Sequence, residues 1–331
     1  MSLNLHCHLE GCVRPDTASD LARAGGAPAP AGGWDAALRM RQPADLTGFL
    51  AHVAAAYPVM GSADALRRIA REAVEDAAAD GSDFLEIRFG PATHRRPALP
   101  ILAVIDAVVD GLDDGRAQTG LLVSLVVCLL RHSDRETNLE VARSAAVRAG
   151  RGVAGLDVAG DELRLPSLEP YVAPFRIAAS AGLGLTAHAA EAGPPSAVRD
   201  AFETLGVARI GHGSRVVDDA DLLAWSADHG VTFEVCPTSN ILTGAAPSLR
   251  EHPLHAFLAA GCGVVLGDDD PVTIGRRLGE EERELLVTGG LAAERLDAIH
   301  LRSVEVGFMD EADRAILRAA VVASPGTGIS A

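Results

Sequence analysis

The sequence predicts a closed barrel of eight parallel strands, each followed by a helix, a (β/α)8 fold, and three observations carry that expectation. Short apolar runs rich in β-formers alternate along all 331 residues with longer stretches of Ala, Leu, Arg and Glu. The apolar runs number eight, and strict alternation of this kind implies a parallel sheet that can close on itself. No glycine-rich nucleotide loop follows the first run, as an open doubly wound sheet would normally require.

In chain order the strand candidates are Leu3 to Leu9, Phe84 to Phe89, Leu121 to Leu130, Val153 to Val158, Gly184 to His188, Ala208 to Gly211, Val231 to Cys236 and Gly263 to Leu266. The helix candidates between them are Ala63 to Ala79, Pro100 to Asp113, Asn138 to Ala149, Leu168 to Ala181, Ser196 to Leu205 and Asp219 to His229. Between the first two strands, Arg14 to Met60 exceeds the minimal repeat. It holds a Pro/Gly-rich stretch, Ala24 to Gly33, and an apolar helical segment, Leu46 to Tyr57, placed to act as a lid over the end of a TIM-type barrel where active sites sit. After the last strand, Leu278 to Val321 reads as extra helices packed on the outside. Residues 1–323 are expected to form one unit, and the small polar tail 324–331 to be frayed.

A composition of 48% hydrophobic and 22% charged residues suffices for a large core. The net charge of −16 lacks the basic footprint of a polynucleotide binder, so a small neutral or cationic substrate is expected and nucleic acid is not. The five cysteines, Cys7, Cys12, Cys128, Cys236 and Cys262, form no C-x-x-C pair and read as small core residues. No leader pattern and no membrane-spanning run is apparent, so the expected location is cytoplasmic.

Polar clusters appear where apolar strands stop. The first run ends in His6-Cys7-His8-Leu9-Glu10-Gly11, the fifth in His188-Ala189-Ala190-Glu191, the sixth in Gly211-His212-Gly213, and the eighth in Asp268-Asp269-Asp270-Pro271. Residues two apart on a strand share a face, so His6 and His8 can meet one ion. Taken singly, each cluster has a plainer explanation. Two hydrogen-bonded histidines, a loop histidine, a solvated glutamate and an aspartate capping the helix that starts at Pro271 would all be ordinary. Together they place metal-binding or proton-moving groups on four strand ends that a barrel brings to one mouth.

The ordered set HxHLEG, LEIRFGP followed by His94, Asp157 to Glu162, HAxE, RIGHG, CPTSN at Cys236 to Asn240, and DDP resembles the adenosine deaminase family of the amidohydrolase superfamily, from His6 to about Val272. The resemblance implies one zinc ion per chain held by His6, His8, His188 and Asp269. It implies Glu191 as proton donor to the purine ring, His212 as the group that orients or deprotonates the attacking water, and Asp270 as the group that holds that water and the amine. It also implies that the Gly160 backbone touches the purine and that Glu10 lies near a sugar hydroxyl.

The chain departs from the family pattern at Ala190, Ser214 and Gly267-Asp268, which leaves open whether the nucleoside is adenosine itself. Adenine or aminodeoxyfutalosine deamination is the alternative. Gly211, where adenine-specific relatives commonly carry an aspartate, leans towards a nucleoside. A two-metal barrel hydrolase would carry a bridging lysine at a strand end, and none stands there. A non-catalytic nucleoside-binding relative should have lost a ligand or Glu191, and a cytidine-type deaminase would show H-x-E with P-C-x-x-C, which is missing. Iron or cobalt could take the place of zinc on the same ligand types.

Overall fold

A computed structural model describes residues 1–323, and within them eight parallel strands lie side by side in chain order. They are β1 (Leu3–His8), β2 (Phe84–Phe89), β3 (Leu122–Leu130), β4 (Val153–Ala159), β5 (Gly184–Ala189), β6 (Arg209–His212), β7 (Thr232–Val235) and β8 (Gly263–Leu266). Each agrees with its predicted run to within one residue at either end. Helices cover the outer face and side chains fill the interior, so these strands are buried almost throughout, as parallel strands must be. The ring closes where Cys7 pairs with Asp269, through His8 N–H to Asp269 O at 2.6 Å and Asp269 N–H to His6 O at 2.8 Å.

The connecting helices begin where the sequence provides caps. Ser62 accepts from Ala65 N–H ahead of Ala63–Asp80, Asp134 from Thr137 N–H ahead of Arg135–Val147, and Asp219 from Leu222 N–H ahead of Ala220–Asp228. Ile101–Thr119 runs past the predicted end at Asp113. The Asp-Asp-Gly there looks like a turn, but Gly115 lets the helix lie against Val74: a Cβ at that position would sit 2.6 Å from the valine. Arg67 also pairs with Asp114 at 2.6 Å.

The insertion after β1 carries the helix Leu46–Ala54 to the C-terminal ends of the strands, the expected lid position. Beyond β8 lie Leu278–Glu284, Ala293–Val306 and Glu311–Ala323, the expected extra helices. The loop after the second of these puts Phe308 beneath the barrel, where the Arg209 guanidinium lies 4.0 Å from its ring centroid. That end is therefore plugged, and the cavity described below opens at the other. The frayed-tail expectation for 324–331 lies outside the described residues. No helix among the described residues is long and apolar enough to cross a membrane.

Candidate active site

Charged residues project into the barrel centre from the middle of apolar strands, and they fix the histidines above them. Glu234 on β7 accepts from Arg88 Nη2 at 2.8 Å, Arg209 Nε at 2.9 Å and Thr186 Oγ1 at 2.6 Å. Burial alone would raise its pKa, but the facing Arg88 and Arg209 guanidiniums and His6 bring it well below the ordinary range. Asp157 on β4 is held low in the same way against burial, by His188 and Arg88. These two fixed carboxylates orient two imidazoles: Nδ1 of His6 lies 2.8 Å from Glu234 Oε2, and Nδ1 of His188 lies 2.9 Å from Asp157 Oδ2. Each ring therefore donates its Nδ1–H to a carboxylate and presents a bare Nε2 to the cavity.

Those bare nitrogens converge. His8 Nε2 is 3.3 Å from His188 Nε2, and Asp269 Oδ1 is 3.5 Å from His6 Nε2 and 3.7 Å from His8 Nε2. His6 Nε2 is buried with no hydrogen-bonding partner, a lone pair that only an ion or water would satisfy. The second oxygen of Asp269 accepts from Ser239 Oγ at 2.5 Å. Nitrogen and oxygen donors oriented by further carboxylates and a hydroxyl make a donor set that fits a transition-metal ion. Two other groups could compete for a ligand position. A nitrogen of His212 lies within 4.8 Å of those of His6 and His188, and Cys236 lies equally close to His6 and Asp269. Burial, then the Asp269 charge, pushes the Cys236 thiol up, which leaves it the poorer donor; all five cysteines are unbonded and buried, as expected of core residues.

Glu191 lies across from this cluster, 7% exposed, with Oε2 3.9 Å from His212 Nε2. Burial, reinforced by the charges of Asp269 and Glu162, lifts its carboxyl well above the ordinary range. Asp270 is raised by burial and by Asp269, and its Oδ1 has no partner. The turn that presents Glu191 is cradled by Glu162, whose carboxylate accepts from the N–H groups of Ala190, Ala192 and Gly193 at 2.9, 2.6 and 2.7 Å.

Three residues next to the chemistry hold left-handed backbone: Ala190 at φ 53°, His212 at φ 60° and Asp269 at φ 57°. Such strain costs on the order of 1 kcal/mol or more per residue and aims side chains off the ends of β5, β6 and β8. Ala190 contributes no chemistry of its own. Ala190→Gly is accordingly expected to raise the unfolding free energy by up to about 1 kcal/mol, measured by denaturant titration.

A cavity of about 370 Å³ joins these groups, within the size range of small-molecule sites. Its apolar wall comes from Phe49, Leu50 and Val53 of the lid helix, with Tyr57 beyond it. His8, Glu10, Gly160, His188, Glu191, His212, Asp269 and Asp270 all line it, and His6 lies just behind. Gly160 has φ 113°, a conformation that a side chain would strain, so its backbone borders the cavity directly. Glu10 is only partly free, because its Oε1 already accepts from Gly90 N–H at 3.0 Å and meets His94 Nε2 at 3.1 Å.

Two sequence expectations change here. Gly211 has a packing reason of its own: a Cβ there would lie 3.2 Å from both the His188 and His6 rings, so the missing aspartate says less about the substrate than expected. Ala190, Ser214 and Asp268 are buried and none of them lines the cavity, so these departures do not reshape its wall.

The family described as adenosine deaminase matches residues 2–324. The chain belongs to the adenosine deaminase family. An adenosine deaminase from Edwardsiella ictaluri is 34% identical over 96% of both chains, and one from Erwinia tasmaniensis is 34% identical over 97% of both. Among solved structures, an adenine deaminase from Arthrobacter aurescens superimposes with a TM-score of 0.88 at 26% identity, covering 97% of this chain and 98% of its own. A zinc-bound amidohydrolase from Burkholderia ambifaria gives a TM-score of 0.87 at 28% identity, covering 97% and 89% respectively. The chain is thus a hydrolytic deaminase of a metal-dependent amidohydrolase family.

Proposed function

We propose that this member of the adenosine deaminase family removes the 6-amino group of an adenosine-like purine nucleoside, releasing ammonia and the 6-oxopurine nucleoside. The carrying observation is a buried Glu191, its carboxyl raised by burial, that shares one small cavity with the His and Asp donor cluster. His6, His8, His188 and Asp269 would hold one zinc ion. When bound, zinc would lower the pKa of the water it holds towards neutrality and so make a nucleophile at physiological pH.

The chain's own residues do the rest. Glu191 gives its proton to ring nitrogen N1, which accepts the electron pair displaced as the oxygen of water adds to C6. His212 and Asp270 face that water, and one of them takes its proton. The C6–N bond then breaks, the nitrogen keeping the electron pair and leaving as ammonia with that proton. The hydroxyl proton on C6 returns to Glu191, which restores the site. Backbone at Gly160 borders the ring, and Phe49, Leu50 and Val53 exclude solvent. The substrate is a small purine and not a nucleic acid, consistent with the net charge of −16. Five unbonded cysteines favour a reducing, cytoplasmic setting.

The names of the relatives cited above support the nucleoside, whereas the adenine deaminase from Arthrobacter aurescens supports free adenine as the second reading. Glu10 separates the two. Its Oε2 is not engaged by Gly90 or His94, so it can accept from a sugar hydroxyl, and a polar group left without its partner discriminates by as much as ~10⁴. The expected result is a kcat/KM for adenosine above that for adenine, with Glu10→Gln lowering the ratio by about tenfold or more. Adenine as the best of adenosine, 2'-deoxyadenosine, aminodeoxyfutalosine and adenine would replace the nucleoside reading by the second.

A further inference from the structure

A backbone amide two residues removed from the active site dictates which nitrogen of His212 carries the proton. The N–H of Leu254, in the first turn of Pro253–Ala260, donates to Nδ1 of His252 at 3.0 Å. A main-chain N–H can only donate, so this Nδ1 is a lone pair and the proton of the neutral His252 ring sits on Nε2. That Nε2–H donates to Oδ1 of Asn240 at 3.2 Å, which fixes the side-chain amide with its Nδ2 towards His212. Nδ2 offers only hydrogens, and it lies 3.0 Å from Nδ1 of His212. Nδ1 of His212 is therefore an acceptor, and its one proton lies on Nε2, facing the cavity.

All three side chains are buried, His212 and His252 at 2% exposure and Asn240 at 0%. Burial, with help from His255, holds His252 down at about 3, so it stays neutral and the direction of the relay does not invert. The polarity is opposite to that at His6 and His188. There Nδ1–H points at a carboxylate and Nε2 is left bare, whereas His212 presents a hydrogen where they present a lone pair.

Resting on the deaminase reading above, we propose that Asn240 and His252 are positioning residues that hold His212 as an Nε2–H donor. Held so, His212 is neither a metal ligand nor the base. It gives a hydrogen bond to the oxygen that adds to C6 and stabilises the charge developing there. The proton released by the water passes instead to Asp270, whose unpartnered Oδ1 belongs to a residue lining the same cavity, and from Asp270 to the departing nitrogen.

The test is long-range proton–nitrogen NMR on the zinc-loaded, ¹⁵N-histidine-labelled protein, with His212→Gln used to assign its signals. The expected wild-type spectrum shows His212 unprotonated at Nδ1 and protonated at Nε2. Asn240→Asp puts an acceptor opposite Nδ1 and should draw the proton there, with kcat falling by about 10² to 10³, the scale of one lost oxyanion donor, and KM little changed. His252→Phe removes the anchor and should give both tautomers. Protonation at Nδ1 in the wild type, an Asn240→Asp enzyme with normal kcat, or a His252→Phe spectrum like the wild type's would overturn the proposal. The wild-type spectrum needs no substrate, so failure to deaminate any 6-aminopurine would refute the substrate reading alone.

Discussion

Asp269→Ala and His6→Ala are expected to leave the protein with little metal and with kcat/KM reduced by more than about 10³-fold. Asp269 Oδ1 lies within 3.7 Å of both β1 histidine nitrogens, so removing it takes the only carboxylate from the proposed donor set. His6 sits at 0% exposure with Nδ1 anchored on Glu234, so its Nε2 is held towards the donor cluster and its loss leaves a gap in the set. The magnitude follows because losing one oxyanion-stabilising donor already costs about 10² to 10³, and loss of the ion also removes the means of making hydroxide at neutral pH. Metal analysis of protein purified without chelator should find about one equivalent in the wild type and far less in either variant. A metal-free preparation with full activity would refute the assignment.

Glu191→Gln is expected to separate chemistry from metal binding. The glutamine keeps the size and the hydrogen-bonding atoms but has no proton to give to N1, so kcat should fall by roughly 10² or more while the metal stays bound. The pH dependence carries the matching sign. Because burial raises the Glu191 carboxyl well above its ordinary range, the enzyme is competent while Glu191 is protonated, and activity declines as pH climbs through the raised value. The variant should lose that alkaline limb. If Glu191→Gln instead loses the ion and regains a normal rate when zinc is restored, Glu191 is a metal-site residue and the proton is supplied elsewhere.

The fold was legible from the alternation of runs, and the inner site because the first, fifth, sixth and eighth β-runs stop abruptly at polar clusters. Alternation of strand and helix then brings β1, β5, β6 and β8 to one mouth. What sequence reading left without a role is the layer beneath: Asp157, Glu162, Ser239 and Asn240 stood inside quoted motifs, and Glu234 and His252 stood in none. Asp157, Glu234, Ser239, Asn240, His252 and Glu162 orient the reactive groups, yet they are distant in sequence from the residues they hold: Glu234 lies 228 positions from His6. A signal was present, since Glu86, Arg88, Asp157 and Glu234 interrupt strands that are otherwise apolar, and burying a charge requires a partner. Which partner is fixed only by barrel register, and that is set by three-dimensional closure. His252 was harder still, because it stands at the start of an outer helix and nothing local sets it apart from an ordinary cap.

The closure of the ring at Cys7 and Asp269 has a dynamic corollary. Among the described residues, that join is a single bridge with two backbone bonds, made by His8 and Asp269, whereas the other neighbouring strands share from two register pairs, between β4 and β5, to six, between β2 and β3. The barrel is therefore sewn most thinly where proposed ligands from its first and last strands face each other. A bound ion clamps that join through side chains as the amides do through the main chain, so removing it leaves the join as the place where the cylinder breathes open. Deuterium uptake at the His8 and Asp269 amides should then report metal occupancy, slow when the ion is present and fast after chelation, well before the outer helices lose protection.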